Sequence, residues 1–205
     1  MSFPIQLIWH GHSCFEIRSE QASIVIDPFL EVPGYGELDL VADLVLVSHE
    51  HDDHNARNRV RLTGREPDVG VEVIESFHDP EGGRLRGPNK IHLVTLADRR
   101  IAHLGDLGHP LDQDQLDRLE KLDVILIPVG GYYTIDADQA AAIVKAIQPA
   151  VTVPMHYREK KAGWDVTTGV QPFLDHFEEI RLHDQPSFEI GQVDAGILVL
   201  KNPMR

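Results

Sequence analysis

The chain has 205 residues, of which 42% are hydrophobic and 25% are charged, a composition typical of a globular protein. Its formal net charge of −14 argues against general binding to nucleic acids or to anionic membranes, since both select basic surfaces. A small anionic substrate is not excluded, because a bound metal ion can invert the local electrostatic field.

Cysteine usage and the N-terminal sequence bear on the compartment. Cys14 is the single cysteine, so it has no partner for an internal disulfide or for a thiolate metal site. The N-terminus lacks the features of a secretory signal, and no apolar run approaches the ~20 residues that span a bilayer. We therefore expect a cytoplasmic protein without membrane contact. Its length demands only one domain, over residues 1–205.

The first half of the chain has the pattern of short strands separated by turn signals. The predicted strands are 5–9, 13–18, 23–26, 44–47, 71–74, 90–96 and 100–104. The strand at 44–47 is apolar enough to be fully buried.

The second half alternates between helical and extended patterns. A helical spacing over 112–122 precedes a strand at 124–129, and Asp136 is a predicted N-cap for a helix that ends before Pro149. A strand at 151–153, a short helix around 173–177 and closing strands follow. The pattern predicts an α/β domain with strands dominant early.

The segment 48–54 reads Ser-His-Glu-His-Asp-Asp-His and directly follows the strand predicted at 44–47. His49 and His51 are two residues apart, so in extended backbone their side chains point to the same face. Asp53 and His54 follow where the chain turns. The spacing predicts a metal site for two ions side by side. The alternative is a solvated polar loop, since loops collect such residues.

Four further candidate ligands each follow a predicted strand: Asp27, His78, Asp106 and His156. Open α/β sheets gather functional groups at the carboxyl ends of their strands. Taken singly, each residue has a structural explanation as a loop carboxylate, a core histidine or a helix cap. Their recurrence beside the segment 48–54 favours one shared centre.

The motif His-x-His-x-Asp-His at 49–54 resembles the signature of the metallo-β-lactamase-fold hydrolase superfamily. The segments 11–15, 26–29, 103–106, 128–134 and 154–157 are similar to a small single-domain branch that includes the ascorbate-6-phosphate lactonase type. The resemblance extends over nearly the whole chain. It implies an α/β fold, the four-layer αββα sandwich in which two mixed β-sheets are flanked by helices.

The resemblance also implies one or two divalent metal ions, most simply Zn²⁺, with Mn²⁺ or Fe²⁺ tolerated. The residues implied for one ion are three histidines: His49, His51 and His78. Those implied for the second ion are a carboxylate and two histidines: Asp53, His54 and His156. Asp106 would bridge the two ions.

The implied activity is that of a metal-dependent hydrolase, in which a metal-bound hydroxide cleaves a small ester, lactone or phosphodiester. Asp53 is the implied catalytic residue, passing a proton to the leaving group. Diiron members of the superfamily carry Glu where this chain has His51, so the histidine favours hydrolysis over redox chemistry. Two alternatives stay open: a non-catalytic metal-stabilised binding protein of the same fold, and a phosphodiesterase or nuclease of the superfamily.

Several neighbouring residues have open roles. His12 and Asp27 fit a supporting role better than ligation, and Asp27 either holds the second nitrogen of a ligating histidine or braces the turn at Pro28. His103 is predicted to be a hydrogen-bonded core histidine. His109 either lines the pocket or lies in solvent, and we favour solvent.

Two basic clusters follow candidate ligands, one with Arg84, Arg86 and Lys90, the other with Arg158, Lys160 and Lys161. They either bind an anionic group of the substrate, such as phosphate, or are solvated loop charges. Candidates for hydroxyls at the pocket rim are Tyr132, Tyr133, Thr134 and Tyr157, while Trp164 is either a lid residue or core packing. We expect a small-molecule substrate, with no nucleic acid or membrane partner; homo-oligomerisation stays open.

Overall fold

A computed structural model describes residues 4–204. The strands of the first half are β1 Gln6–Gly11, β2 Cys14–Arg18, β3 Ser23–Ile26, β4 Leu40–Ala42, β5 Leu44–Leu46, β6 Val60–Leu62 and β7 Gly70–Phe77. Those that follow are β8 Pro88–Leu96, β9 Arg99–His103, β10 Val124–Pro128, β11 Val151–Met155, β12 Ile180–Leu182, β13 Ser187–Glu189 and β14 Gly196–Val199. The α-helices are α1 Gln113–Arg118, α2 Ala137–Ile147 and α3 Gln171–Leu174.

The strands form two mixed sheets and one small pair. The five-stranded sheet has the order β13-β1-β2-β3-β5, antiparallel except that β5 joins β3 in parallel. The seven-stranded sheet has the order β12-β14-β11-β10-β9-β8-β7, parallel from β12 to β9 and antiparallel from β9 to β7. The predicted fold class is confirmed, with short helices and dominant strands.

The main hydrophobic core lies between the two large sheets. Phe15 and Ile17 of β2, Ile91 of β8 and Leu126 of β10 are fully buried members of one apolar cluster. Helix α2 contributes its buried residues, including Ile143, to the same cluster. Burying apolar area is the main stabilising term in such a core, so the two sheets are held face to face.

A second, smaller apolar cluster covers the other side of the five-stranded sheet. Cys14 and Val25 of that sheet pack there with Phe29, with Ala42 of β4 and with Val60 of β6. The parallel pair β4–β6 was not predicted from the sequence, because three-residue strands carry little periodic signal. The loop after β3, together with β4 and β6, therefore covers this face.

Two predicted elements differ from the structure. Strand β5 is only partly buried, so the prediction of full burial is wrong; β5 is an edge strand that pairs with β3 alone. Helix α1 is six residues long, shorter than the predicted span. The N-cap prediction is confirmed, since the Asp136 side chain accepts a hydrogen bond from the Gln139 amide at 2.9 Å. Within residues 4–204, no helix has the length and hydropathy to cross a bilayer.

Candidate metal centre

The predicted site residues converge at the ends of strands from both large sheets. Strand β3 leads to Asp27, β7 to His78, β9 to Asp106 and β11 to His156. The segment 48–54 follows β5. The prediction that strand ends gather these side chains at one place is confirmed by their contacts.

The potential ligand atoms form three overlapping groups. Within each group, all the ligand atoms lie within 4.8 Å of one another. The first group has the three histidines implied for one ion: His49, His51 and His78. The second has the residues implied for the other ion together with a fourth residue: His12, Asp53, His54 and His156. The third group is His49, His54 and Asp106. The ligand assignment remains a prediction, but the structure brings all seven implied residues together.

Asp106 lies between the first two groups. Its Oδ2 is 3.3 Å from His78 Nε2 and 3.2 Å from His156 Nε2, while its Oδ1 is 3.2 Å from His54 Nε2. The backbone amide of Asp106 donates to Asn89 Oδ1 at 2.9 Å, which fixes the turn after β9. The carboxylate is therefore placed to bridge the two groups.

The backbone of 48–54 is a bend followed by a turn, not extended strand. The rings of His49 and His51 do lie close together, with centroids 4.7 Å apart. The predicted reason, alternation along an extended strand, is wrong. The amides of His54 and Asn55 both donate to the His51 carbonyl at 2.9 Å. This turn places the His54 ring 4.2 Å from that of His49.

Asp27 organises two of the histidines. His54 Nδ1 lies 2.8 Å from Asp27 Oδ2, and the Ser48 amide and hydroxyl donate to the same carboxylate at 2.7 and 2.6 Å. The Ser48 hydroxyl oxygen is 2.9 Å from His49 Nδ1. These contacts favour a proton on Nδ1 of both rings, so the Nε2 atoms face the centre, where a bound cation would displace any proton that they carry. The supporting role of Asp27 is confirmed.

The hydrogen bonding of the histidine nitrogens in the centre indicates whether the site suits metal ions. Among residues 4–204, the Nε2 atoms of His12, His49, His54 and His156 are buried and make no well-directed hydrogen bond, although carboxylate oxygens lie 3.2–4.0 Å away. Leaving a buried polar atom unpaired costs about 1–3 kcal/mol. Several such atoms around two carboxylates are the donor set that Zn²⁺ and similar cations bind. The residues therefore fit the metal ions that the sequence implied.

Burial and charge set the protonation of these groups. Burial, reinforced by neighbouring histidines, lowers the pKa of His49 to about 3 and that of His12 to about 4. Burial opposes a charge on His54 as well, but the carboxylates of Asp106 and Asp27 raise its pKa well above the usual value. Against the effect of burial, His156 and His54 hold the pKa of Asp106 well below its ordinary range.

Asp53 has two contacts that the sequence did not predict. The indole Nε1 of Trp164 donates to Asp53 Oδ2 at 3.1 Å, and His12 Nε2 lies 3.4 Å from the same oxygen. The His12 ring is 4.2 Å from that of His156, so His12 belongs to the centre and can reach a metal ion there. The sequence favoured a supporting role for His12 over ligation, and it left Trp164 as either a lid residue or core packing.

An open cavity of about 290 Å³ adjoins the centre. The residues that line it come from several loops: His51, Asp53, His78, Arg86, Asp106, Tyr133 and Trp164. Trp164 therefore both lines the cavity and contacts Asp53. The cavity gives a small molecule access to both metal-ligand groups.

The candidate rim hydroxyls separate into different environments. Tyr133 lines the cavity, whereas Tyr132 is largely exposed and Tyr157 is buried. Burial raises the pKa of the Tyr157 hydroxyl. Thr134 donates its hydroxyl to the Ile135 carbonyl at 3.1 Å. Of the four candidates, Tyr133 alone is a lining residue of this cavity.

Two histidines outside the ligand groups, His103 and His109, have local hydrogen-bond partners. His103 is fully buried, with Nε2 2.8 Å from the Ser13 carbonyl, so the prediction of a hydrogen-bonded core histidine is confirmed. His109 is not a lining residue of the cavity; it is partly exposed, and its ring accepts a hydrogen bond from the Phe77 amide at the end of β7 at 3.1 Å.

Comparison with known proteins agrees with this geometry. The family model of the beta-lactamase superfamily domain matches residues 6–156. A UPF0173 metal-dependent hydrolase of Thermoplasma acidophilum is 30% identical over 188 residues, which is 75% of this chain and 83% of the relative. A second one, from Thermoplasma volcanium, is 31% identical over 192 residues, with the same shares of 75% and 83%.

Among solved structures, a proposed Zn-dependent hydrolase of the metallo-β-lactamase superfamily from Thermotoga maritima superposes with a TM-score of 0.77. It is 29% identical, and the match covers 96% of this chain and 98% of that one. The similarity thus extends over nearly the whole chain.

Proposed function

The chain belongs to the beta-lactamase superfamily and to its UPF0173 metal-dependent hydrolases, and from this premise we propose that it hydrolyses a small ester, lactone or phosphodiester. The observation that carries the proposal is the set of buried, unpaired Nε2 atoms facing the carboxylates of the centre. A histidine core without metal would not leave so many polar atoms unpaired. The open cavity beside them provides room for a substrate.

We propose that His49, His51 and His78 hold one ion, that Asp53, His54 and His156 hold the other, and that Asp106 bridges them. When bound, the ions would supply a nucleophilic water at neutral pH and positive charge to polarise the scissile bond. The histidine-rich donor set favours Zn²⁺, and Mn²⁺ or Fe²⁺ would fit the same ligands. The name of the Thermotoga maritima protein, a Zn-dependent hydrolase, supports zinc.

The chain's own residues orient this chemistry. Asp27 and Ser48 fix the rings of His54 and His49 through their Nδ1 atoms, so the Nε2 atoms stay aligned before substrate arrives. Asp53 lies at the cavity wall, where its carboxylate can take up a proton and release it to the leaving group. Trp164 holds one oxygen of that carboxylate.

Metal content and activity of purified protein test the proposal. Protein prepared without chelators should hold one to two divalent ions per chain by the logic of a shared-ligand site. It should hydrolyse at least one member of a panel of esters, lactones and phosphodiesters. Chelation should abolish turnover, and Zn²⁺ or Mn²⁺ should restore it. His51→Ala should lose activity with its fold retained, whereas the surface variant His176→Ala, whose ring contacts Asp138, should behave as wild type.

Two results would contradict the proposal. Full activity in His51→Ala or in metal-free protein would remove the metal centre from the reaction. Full metal loading without turnover of any panel member would favour the non-catalytic binding protein instead. Binding of single-stranded RNA at physiological salt would favour the nuclease, which the net charge of −14 opposes.

We further propose a cytoplasmic location, consistent with Cys14 as a free, buried thiol.

A further inference from the structure

The two basic clusters occupy different places. In the second cluster, Arg158 is paired with Asp165 at 3.7 Å, and Lys160 and Lys161 are exposed. None of these three lines the cavity beside the metal centre. In the first cluster, by contrast, Arg86 lines that cavity directly. Of these six basic residues, Arg86 is therefore the one placed to meet a substrate at the metal centre.

Asp79 builds the loop that carries Arg86. Its fully buried carboxylate accepts hydrogen bonds from the backbone amides of Glu81, Gly83, Leu85 and Arg86 at 2.8, 3.1, 3.0 and 2.8 Å. Four amides on one carboxylate fix the backbone of the loop, as in an enlarged Asx turn. The backbone that presents the Arg86 side chain is thus rigid where the loop joins β8.

The guanidinium of Arg86 lies over the Tyr133 ring, 5.7 Å from its centroid. This contact holds the side chain at the cavity by a cation–π interaction. Arg86 makes no ion pair with any carboxylate among residues 4–204, whereas its neighbour Arg84 is paired with Glu81. In a chain with a net charge of −14, a half-buried arginine without an acidic partner is free to bind an anion.

A second cavity, of about 270 Å³, continues the same basic surface past His51. Arg86 lines both cavities, and Lys90 lines the second. The acidic residue of the second cavity, Glu50, is already paired with Arg57 at 3.2 Å. Within the described range 4–204, neither Arg86 nor Lys90 forms an ion pair, and both lie along one wall that leads to the metal centre.

We propose that Arg86 is a specificity-determining residue that binds a terminal oxyanion of the substrate, a phosphate or carboxylate group remote from the scissile bond. The proposal rests on the hydrolytic function proposed above and narrows its substrate class. The planar guanidinium binds either oxyanion through two parallel hydrogen bonds. Lys90 adds a second positive charge for a longer substrate.

Matched substrates and matched variants test this role in the metal-loaded protein. The substrates are 4-nitrophenyl butyrate, which is neutral, and 4-nitrophenyl hydrogen succinate, which carries a terminal carboxylate. Arg86→Gln should lower kcat/KM for the anionic ester about tenfold, through KM, and leave the neutral ester unchanged. Arg86→Lys should retain part of the preference for the anionic ester, because lysine keeps the positive charge but lacks the planar guanidinium that forms two parallel hydrogen bonds. Arg84→Gln, in the same loop but outside the cavity, should behave as wild type.

Calorimetric titration gives a readout that does not need turnover. Inorganic phosphate and succinate, titrated separately into metal-loaded wild type, Arg86→Gln and Arg84→Gln, distinguish a phosphate from a carboxylate site. The preferred anion should bind about tenfold more weakly to Arg86→Gln alone. Equal dissociation constants in all three proteins would overturn the proposal. A third outcome separates the two proposals: if the wild-type protein hydrolyses no substrate, and Arg86→Gln still weakens anion binding, the proposed hydrolysis fails while the anion site stands.

Discussion

The Nδ1 atom of His54 lies 2.8 Å from the carboxylate of Asp27, and both side chains are fully buried. The same carboxylate receives both hydrogen bonds of Ser48, whose hydroxyl contacts His49. One side chain thus orients a histidine from each of the two ligand groups. Asp27 is itself held in place at a positive φ of 51°, a strained conformation of the kind that clusters at functional sites.

Asp27→Asn should weaken metal binding by about 10- to 100-fold, the usual effect of losing a partner behind a ligating histidine. The amide keeps the volume but removes the charge that favours a proton on His54 Nδ1. Competition with a chromophoric chelator measures the affinity, and circular dichroism verifies the fold. Asp138→Asn, an exposed carboxylate that contacts His176, is the control. Wild-type metal affinity in Asp27→Asn would show that the contact does not organise the centre.

Trp164→Phe should lower kcat about three- to tenfold with metal content unchanged, since it removes one hydrogen bond to Asp53 and keeps an aromatic ring at the cavity wall. The expected loss is in kcat, because the indole orients a proton-transfer group and leaves the remote binding wall intact. Steady-state kinetics and metal analysis of the same samples measure both quantities.

The control is Tyr132→Phe, which changes an exposed aromatic residue next to the lining residue Tyr133. It should have wild-type kcat and metal content. If Trp164→Phe loses metal in proportion to activity, Trp164 acts on ligation rather than on orientation of Asp53. Unchanged kcat with full metal loading would mean that the indole contact has no part in turnover.

Much of the centre was predictable because its signal is local or lies at strand ends. The spacing within 49–54 is contiguous, and the candidates Asp27 and His156 each directly follow a short apolar strand. The sequence named Trp164 as a lid residue or core packing, but its contact with Asp53 was not predictable, since the two lie 111 residues apart and Trp164 is in a loop without periodic pattern. Alternation also failed at His49 and His51, because hydrogen bonds to the His51 carbonyl turn the backbone there.

The pair β4–β6 shows the same limit for the fold. Its strands are three residues each, and their stability comes from packing on Cys14 and Val25 of the five-stranded sheet. Tertiary contacts of this kind override local propensity. Likewise β5 is apolar enough for a central strand, yet the topology places it at a sheet edge, and pattern alone cannot distinguish the two positions.

Asp43 should make the stability of the fold pH-dependent in acid. The pKa of Asp43 is lowered from 3.8 to about 2, most strongly by the hydrogen bond from Arg65. Hydrogen bonds from Thr63 and from the Ser23 amide also lower it. A carboxylate with a lowered folded-state pKa stabilises the protein above its unfolded pKa, and this contribution is lost as pH falls through the folded value. The window is therefore between about pH 4 and pH 2.

Asp43→Asn should reduce the free energy of unfolding by about 1 kcal/mol at pH 7 and by less at pH 2.5. Urea unfolding at the two pH values measures the difference. Asp165→Asn, at a fully exposed carboxylate, should change stability little at either pH. An equal loss for Asp43→Asn at both pH values would show that shape, not charge, gives the contribution of Asp43.

Gly105→Ala should damage both the fold and the metal centre. Gly105 has a φ of +57°, and an added Cβ would lie 2.4 Å from Asn89 Oδ1 and 2.5 Å from Ser48 Cβ. Asn89 holds the Asp106 amide, and Ser48 contacts His49 and Asp27. The added methyl must therefore displace residues that set the positions of the ligands.

Gly82→Ala is the matched control, because Gly82 has a similar φ of +67° but no atom within 4 Å of the added Cβ. The left-handed backbone alone should cost each variant about 1–2 kcal/mol. Gly105→Ala should cost a further ~1–3 kcal/mol from overpacking and should bind metal more weakly, while Gly82→Ala should retain wild-type affinity. Chemical unfolding and metal titration measure the two effects. Equal losses of stability with unchanged metal affinity in both variants would mean that the contacts of Gly105 do not position the centre.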